Sequence, residues 1–475
     1  MIKSILKKKA VVSVLSLLLL YLVLCIPGTG EKPFTAAGKE PFTWNLDRLW
    51  TVLEKSFREA RELGCEKLNE SIDRSISTLD TILSAIEGSP KSPGDVLFMD
   101  LEKEMFQLAP MIAACETRLT DYIVLCNRVR TTVKRQSSNW DMNSVPARSR
   151  IYRLLYGTRA ALEEVMLQVP AEKIPDLVKV EDVPSQTPMA SILGVNIHSG
   201  DILVSRGGAP TSALIARGND YPGNFSHIAL VYVDEKTHLA SIIESHIERG
   251  VIIAGLEEYI KDKKLRVMIM RLKPDHPVLL TDPALPHKAA RYALDDVKSR
   301  HIPYDFEMDY KRHDKIFCSE VASAAYGKFG VRLWMGISSI SSPGLASWLA
   351  AYGVKHFETQ EPSDLEYDPQ LWVVAEWRDR ETLYKDHLDN AVIDVMLEGA
   401  ERGDRLTYQW YMLGFARVMK AYSVVVNVLG GVGPIPEGMS ASAALKSKEF
   451  SKKHTEIKER LAIKAKEFKE KYGYT

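Results

Sequence analysis

The chain has 475 residues, 45% of them hydrophobic and 26% charged, with a formal net charge of +0. That length suits two or three folded units, and the balanced charge gives no electrostatic reason to look for nucleic acid. The five cysteines, Cys25, Cys65, Cys115, Cys126 and Cys318, include no Cys-x-x-Cys pair, so zinc-ribbon and thioredoxin-type chemistry has no support.

In chain order, Lys3, Lys7, Lys8 and Lys9 precede an apolar run over 10–26, which ends at Pro27 and Gly28. A basic stretch followed by an apolar one has the form of an export signal or retained membrane anchor, expected over 1–30. Leu22-Val23-Leu24-Cys25 is similar to a bacterial lipobox, but Leu24 stands where a small residue is expected, which weighs against lipidation of Cys25. A linker carrying Pro33, Gly38 and Pro41 follows. Apolar residues then recur at helical spacing, first from Leu46 to Ile86, where Gly88-Ser89-Pro90 stops the pattern. A second helical stretch starts near Asp95, breaks or kinks at Pro110, and resumes to Val129. A third runs over 148–169. Together these predict an antiparallel helical bundle over 40–170 that carries no residues at catalytic spacing. Cys65, Cys115 and Cys126 fall inside it as packing residues; a disulfide among them stays open, with no pairing assignable.

Pro170, Pro175, Pro184 and Pro188 mark a boundary. Beyond it, strands are expected over 201–204, 225–233, 239–246, 266–272 and 371–377, with helices over 286–300 and from Cys318 onward. This mixture is an α+β domain over 190–380. Helical periodicity returns over 381–475. Its last segment, 446–471, has ten lysine or arginine residues against five glutamates, with Phe450, Ile457, Leu461 and Phe468 roughly on one face. A basic amphipathic helix of that kind can bind an anionic lipid or polymer surface, or be a solvated terminal helix.

The chemistry centres on Cys318. A polar segment ends there and a small-residue helix begins, with Val321, Ala325 and Phe329 four residues apart. At a helix start the free N–H groups and the macrodipole favour an anion, and such a position lowers a thiol from its usual ~8.5. The alternative is a buried core cysteine. A thiol nucleophile needs a base and an orienting group. His227, at the start of an apolar strand, is the strongest of eleven histidines, and Glu244 places a carboxylate inside the next apolar strand, where it needs a partner. His238, His246, His301 and His313 show no HExxH or similar spacing, so neither metal nor cofactor is expected.

The ordered set Ser199-Gly200-Asp201-Ile202-Leu203, Ser226-His227-Ile228, Ile243-Glu244, Gly250-Val251, Pro303-Tyr304-Asp305-Phe306 and Phe317-Cys318-Ser319-Glu320 resembles the YiiX/YebB-like branch of the NlpC-type cysteine hydrolases. The resemblance covers roughly 192–377. It implies a circularly permuted papain-like fold, with an antiparallel sheet packed on the cysteine helix. It further implies Cys318 as nucleophile, His227 as base, Glu244 as the residue orienting the imidazole, and the Cys318 N–H as an oxyanion donor. Tyr304 and Tyr326 would line the substrate cleft, unless they are half-buried packing residues. The expected activity is an exported amidase or peptidase acting through an acyl-enzyme, with cell-wall peptides or acyl amides as substrates. A lipid hydrolase or acyltransferase using the same thiol is the nearest alternative. Lecithin:retinol acyltransferase-like relatives carry Asn-Cys-Glu-His where this chain has Phe317-Cys318-Ser319-Glu320. A catalytically silent envelope scaffold is the third. Periplasmic or envelope location, with membrane association through the N-terminal segment and the basic C-terminal helix, completes the expectation.

Overall fold

The computed structural model describes residues 2–28, 34–44, 46–262 and 264–475. Residues 29–33, where the expected leader ends and the linker begins, lie outside them, as do the side chains of the N-terminal lysines. The helix α1 (Ile2–Leu24) comes first, followed by α2 (Leu46–Leu63), α3 (Cys65–Glu87), α4 (Val96–Ala114), α5 (Leu119–Ser137) and α6 (Val145–Leu167). The central region holds β1 (Leu177–Lys179), β2 (Met189–Ile192), β3 (Val195–His198), β4 (Ile202–Gly207), α7 (Pro210–Arg217), β5 (His227–Val233), β6 (Ala240–His246) and β7 (Gly250–Gly255). It continues with α8 (Leu256–Lys261), β8 (Lys264–Leu272), α9 (Pro277–Thr281), α10 (Leu285–Ser299), α11 (Cys318–Gly327), β9 (Ser338–Ser339), α12 (Pro343–Tyr352), β10 (Glu358–Thr359) and β11 (Leu371–Arg378). Three helices close the chain: α13 (Leu383–Glu401), α14 (Met412–Val428) and α15 (Ala441–Tyr472). Among the described residues no helix is long and apolar enough to cross a membrane.

The helical bundle differs from its sequence reading in where it breaks. Gly64, at φ +78°, separates α2 from α3; positive φ costs a glycine little. Pro110 does not interrupt α4, because the helix runs on to Ala114. The break falls at Cys115, which forms a disulfide with Cys65 across a separation of 50 residues. One aliphatic core, built on Leu79, Leu83, Leu101, Ile112, Val129 and Leu155, fills the bundle.

The main sheet has seven strands in the order β1-β11-β8-β4-β5-β6-β7, every neighbour pair antiparallel. Alternation of side chains gives it two apolar faces. On one, Ile228, Leu230 and Ile243 meet Val321, Ala322 and Ala325 of α11 together with Ala289 and Leu294 of α10. On the other, Leu203, Ala229, Val231 and Ile242 meet Val195 and Ile197 of the β2–β3 hairpin. The sequence reading missed β7, because Gly250 (φ +72°) is a sharp turn. A Cβ there would lie 2.2 Å from the Ile302 carbonyl oxygen, so only glycine lets that segment approach. Val251 N–H then donates to that same oxygen, tying β7 to the segment that leads to α11.

Buried ion pairs join the three regions. Arg266 on β8 meets Glu163 of α6 at 2.6 Å and Asp386 of α13 at 2.6 Å. Arg206 on β4 shares Asp386, Arg130 of α5 reaches Glu376 of β11, and His387 bonds Glu163 at 2.9 Å. Burial alone would lower His387, but the hydrogen bonds to Glu163 and Glu164 push it up to about 10. A histidine raised above its unfolded value of 6.5 stabilises the fold fully below pH 6.5, and that contribution is lost as pH climbs towards 10. His387→Gln is therefore expected to cost about 2–4 kcal/mol at pH 6 and to converge on the parent near pH 10, as read by chemical denaturation across that range.

Candidate active site

α11 begins at Cys318, with Phe317 as its N-cap. The Glu320 side chain accepts from the Phe317 N–H at 3.0 Å, half of a capping box, which fixes the first turn and hence the Cys318 position. Ser245 Oγ donates to the Ile316 carbonyl at 2.7 Å, so β6 holds the chain just before the helix. The N–H of the first helical residue has no intrahelical acceptor.

Across from it, β5 opens with His227. Its register with β6 pairs Ala229 with Glu244, and two residues further along this sets His227 beside His246, their rings T-shaped at 5.6 Å. Glu244 lies between them. One carboxylate oxygen is 2.8 Å from His227 Nε2 and the other 3.1 Å from His246 Nε2. Burial would raise the Glu244 carboxyl, yet the two imidazole hydrogen bonds hold it far below the usual range, so it stays ionised. Burial lowers His227, partly offset by Glu244, while the Glu244 hydrogen bond outweighs burial at His246 and raises it.

The thiol departs from the sequence expectation. Burial pushes Cys318 up to about 12 rather than down, because 4% exposure removes the water that would solvate a thiolate. Its sulfur lies 4.0 Å from the Ser226 carbonyl, one residue before His227. No hydrogen bond joins the thiol to the His227 ring. Burial thus raises the thiol and lowers the imidazole, disfavouring the charged form of each.

Cys318, His227, His246 and Tyr304 line one cleft of about 810 Å³. Tyr304 lies on its wall with its ring against Phe306 at 5.0 Å. Tyr326 does not belong to it. That side chain is fully buried in the α11 core, and its hydroxyl donates to the Gly200 carbonyl at 2.6 Å, so it locks the Gly200 turn (φ +98°) and touches no substrate space. Asp201, in the same motif, is likewise structural, paired with Arg271 at 2.7 Å.

Sequence reasoning missed two features of the site. His246 stands two residues after Glu244 on the same strand face, a period-two signal that was legible. The opposite wall of the cleft had no sequence signal. Pro434, Pro436, Met439, Lys448 and Ser451 close it from the C-terminal region, seated where Gly438 abuts the Phe306 ring and Glu437 meets His301 at 2.9 Å. The His227, Glu244 and His246 ligand atoms also lie within 4.8 Å of one another. Two imidazoles and a carboxylate are a donor set that suits zinc, and a cation there would occupy His227 Nε2 and displace its bond to Glu244.

Residues 196–375 match the family described as permuted papain-like amidase enzymes, YaeF/YiiX, C92 family. A solved structure titled metalloprotein yiiX from Escherichia coli O157:H7 is 19% identical, covering 38% of this chain and 98% of that chain, with a TM-score of 0.31. No curated protein matches the chain. The matched family is one of cysteine hydrolases, and the helical segments on either side fall outside the match.

Removing the Glu244 charge tests the arrangement directly. Since Glu244 supports protonation of His227, Glu244→Gln is expected to move the His227 titration further below 6.5, measured by NMR of the imidazole protons. It is also expected to lower kcat/KM on any cleaved substrate by about 10²-fold.

Proposed function

We propose that this cysteine hydrolase domain works as an exported amidase, with Cys318 attacking an amide carbonyl and His227 taking the thiol proton. In this reading the substrate carbonyl enters the cleft and Sγ adds to its carbon. The resulting oxyanion takes the Cys318 N–H, and Glu244 stabilises the imidazolium. His227 then returns its proton to the leaving amine as the C–N bond breaks, leaving a thioester. Water, deprotonated by His227, adds to the thioester and releases the acid and the free thiol. The observation that carries the proposal is the convergence of the Cys318 helix start and the Glu244-held His227 on one cleft.

Export draws support from the Cys65–Cys115 disulfide, a bond that persists in oxidising compartments, together with the basic-then-apolar start of the chain. The substrate class is an amide bearing an acyl or peptidyl arm. The cleft wall combines the apolar Ile215, Pro434 and Met439 with Lys448, Glu248 and the Lys264–Asp262 ion pair, and its apolar part keeps lipid hydrolysis or acyl transfer by the same thiol in view. A second reading, a silent binding protein, draws on the raised thiol and its lack of a hydrogen bond to His227.

Two measurements separate these. Incubation of the protein and Cys318→Ala with wall-peptide fragments and an N-acyl amide and lipid panel, read by mass spectrometry, is expected to show cleavage that depends on Cys318. Iodoacetamide should alkylate Cys318 more slowly in His227→Ala than in the parent. Equal rates, no faster than a free thiol, with no cleavage of any substrate would establish the scaffold. Running the panel with chelator and with added zinc tests the cation-compatible triad, where bound zinc is expected to inhibit by holding the base.

A further inference from the structure

Two neighbouring elements expose more apolar surface than the fold around them explains. On α14 and its flanks, Tyr411, Phe415, Val418, Tyr422, Val425 and Leu429 are all exposed, between 47% and 81%. Their spacing of four, three, four, three and four residues puts them on one helical face. The opposite side of α14 is occupied: Leu413 and Ala416 pack with Ala441 at the start of α15. The only charged residues of α14 are Arg417 and Lys420, and it has no acidic residue. Trp410, Tyr411 and Tyr422 supply the amphipathic rings that sit at a lipid headgroup boundary.

The second element is α1. Its last turn docks on the start of α14. Tyr21 Oη donates to the Tyr411 carbonyl at 2.6 Å, and Arg417 caps the helix end by donating to the Leu24 and Ile26 carbonyls at 2.8 and 2.9 Å. Cys25 is buried against Gly414, where an added Cβ would lie 2.9 Å from the sulfur. Before that turn, residues 12–23 are exposed on every side, and Leu15, Leu17, Leu18, Leu19 and Leu20 are each more than half exposed. A helix apolar all round needs an apolar medium all round. A second copy of the chain would cover one stripe of it and leave the rest in water.

We propose that α14 lies in the plane of an anionic lipid bilayer, its Tyr411–Leu429 stripe in the headgroup boundary, with α1 retained and inserted beside it. The apolar run over 10–26 measures about 25 Å as a helix, short of the ~30 Å hydrocarbon core, so α1 enters the bilayer and α14 carries the lateral contact. This moves the lipid-binding role away from α15. There Phe450 is buried, and Ile457 and Leu461 pack on the core beneath α12 and α13, so the apolar face of that basic helix is used inside the protein. The seating also places the cleft. The segment after α14 is braced by α14's other side, with Lys420 Nζ donating to the Pro436 and Glu437 carbonyls and Ile435 N–H to Ser423 Oγ. Pro434, Pro436 and Met439 of that segment are cleft wall.

The test reads position at the bilayer and not turnover, so it stands or falls separately from the thiol chemistry. Full-length protein carrying Cys318→Ala with Val425→Cys is labelled with an environment-sensitive fluorophore. A matched protein carries Val124→Cys on α5, where Val124 is 63% exposed. Both are added to vesicles of phosphatidylethanolamine with phosphatidylglycerol, with unlabelled Cys318→Ala protein as the blank for the buried thiols. The label at 425 is expected to shift to the blue, brighten severalfold and lose access to aqueous iodide, while the label at 124 does none of these. The proposal is overturned if the label at 425 stays as accessible to iodide as that at 124 on protein that floats with the vesicles. It is equally overturned if the chain does not bind vesicles, or if the label at 425 is already shielded in vesicle-free protein that light scattering shows to be a dimer.

Discussion

A single guanidinium, Arg266, fixes the relation between the three regions of this chain. It sits in the middle of the sheet with no exposed surface, and takes Glu163 from the helical bundle and Asp386 from the C-terminal helices as its counter-ions. A buried charge of this kind is costly unless it is paired and fully hydrogen-bonded, so removing either counter-ion leaves Arg266 underpaired at the centre of the structure. The site inherits that constraint. β4 pairs with β8 and carries β5 on its other edge, and the cleft wall beyond Cys318 is delivered by helices that Asp386 and Asp389 hold in place through Arg206 and Lys458. The flanking helices therefore build part of the cleft as well as surrounding the hydrolase domain.

Within the cleft, burial is the largest influence on the thiol and on the imidazole. A helix N-terminus favours a thiolate, whereas burial pushes the Cys318 thiol up to about 12. The same burial lowers His227. Glu244 is an ionised carboxylate lying between two imidazoles.

Much of the site could be read from the sequence because its residues violate their surroundings. Glu244 in an apolar strand, His227 at a strand start and Cys318 at the head of a small-residue helix each stand out against a regular pattern. Tyr326 could not be told from a cleft tyrosine, since only the fold shows its hydroxyl turned to Gly200. Pro110 marks a helix break in most sequences, yet α4 runs through it to Ala114 and gives up the N–H bond that proline cannot make, with the ring buried in the bundle core. The C-terminal wall of the cleft and the Arg266 cluster depend on contacts across more than a hundred residues, which no local periodicity encodes.

The central claim is that Cys318 forms a covalent acyl intermediate, and the mass of the intact protein tests it most directly. The protein would be mixed with an activated ester of an N-acyl amino acid, quenched in acid during turnover, and compared with Cys318→Ala. The account predicts an increase equal to one acyl group, mapped to Cys318 by peptide digestion, that decays in the parent and accumulates in His227→Ala. An unmodified protein during measurable turnover, or an equal adduct in Cys318→Ala, would contradict it.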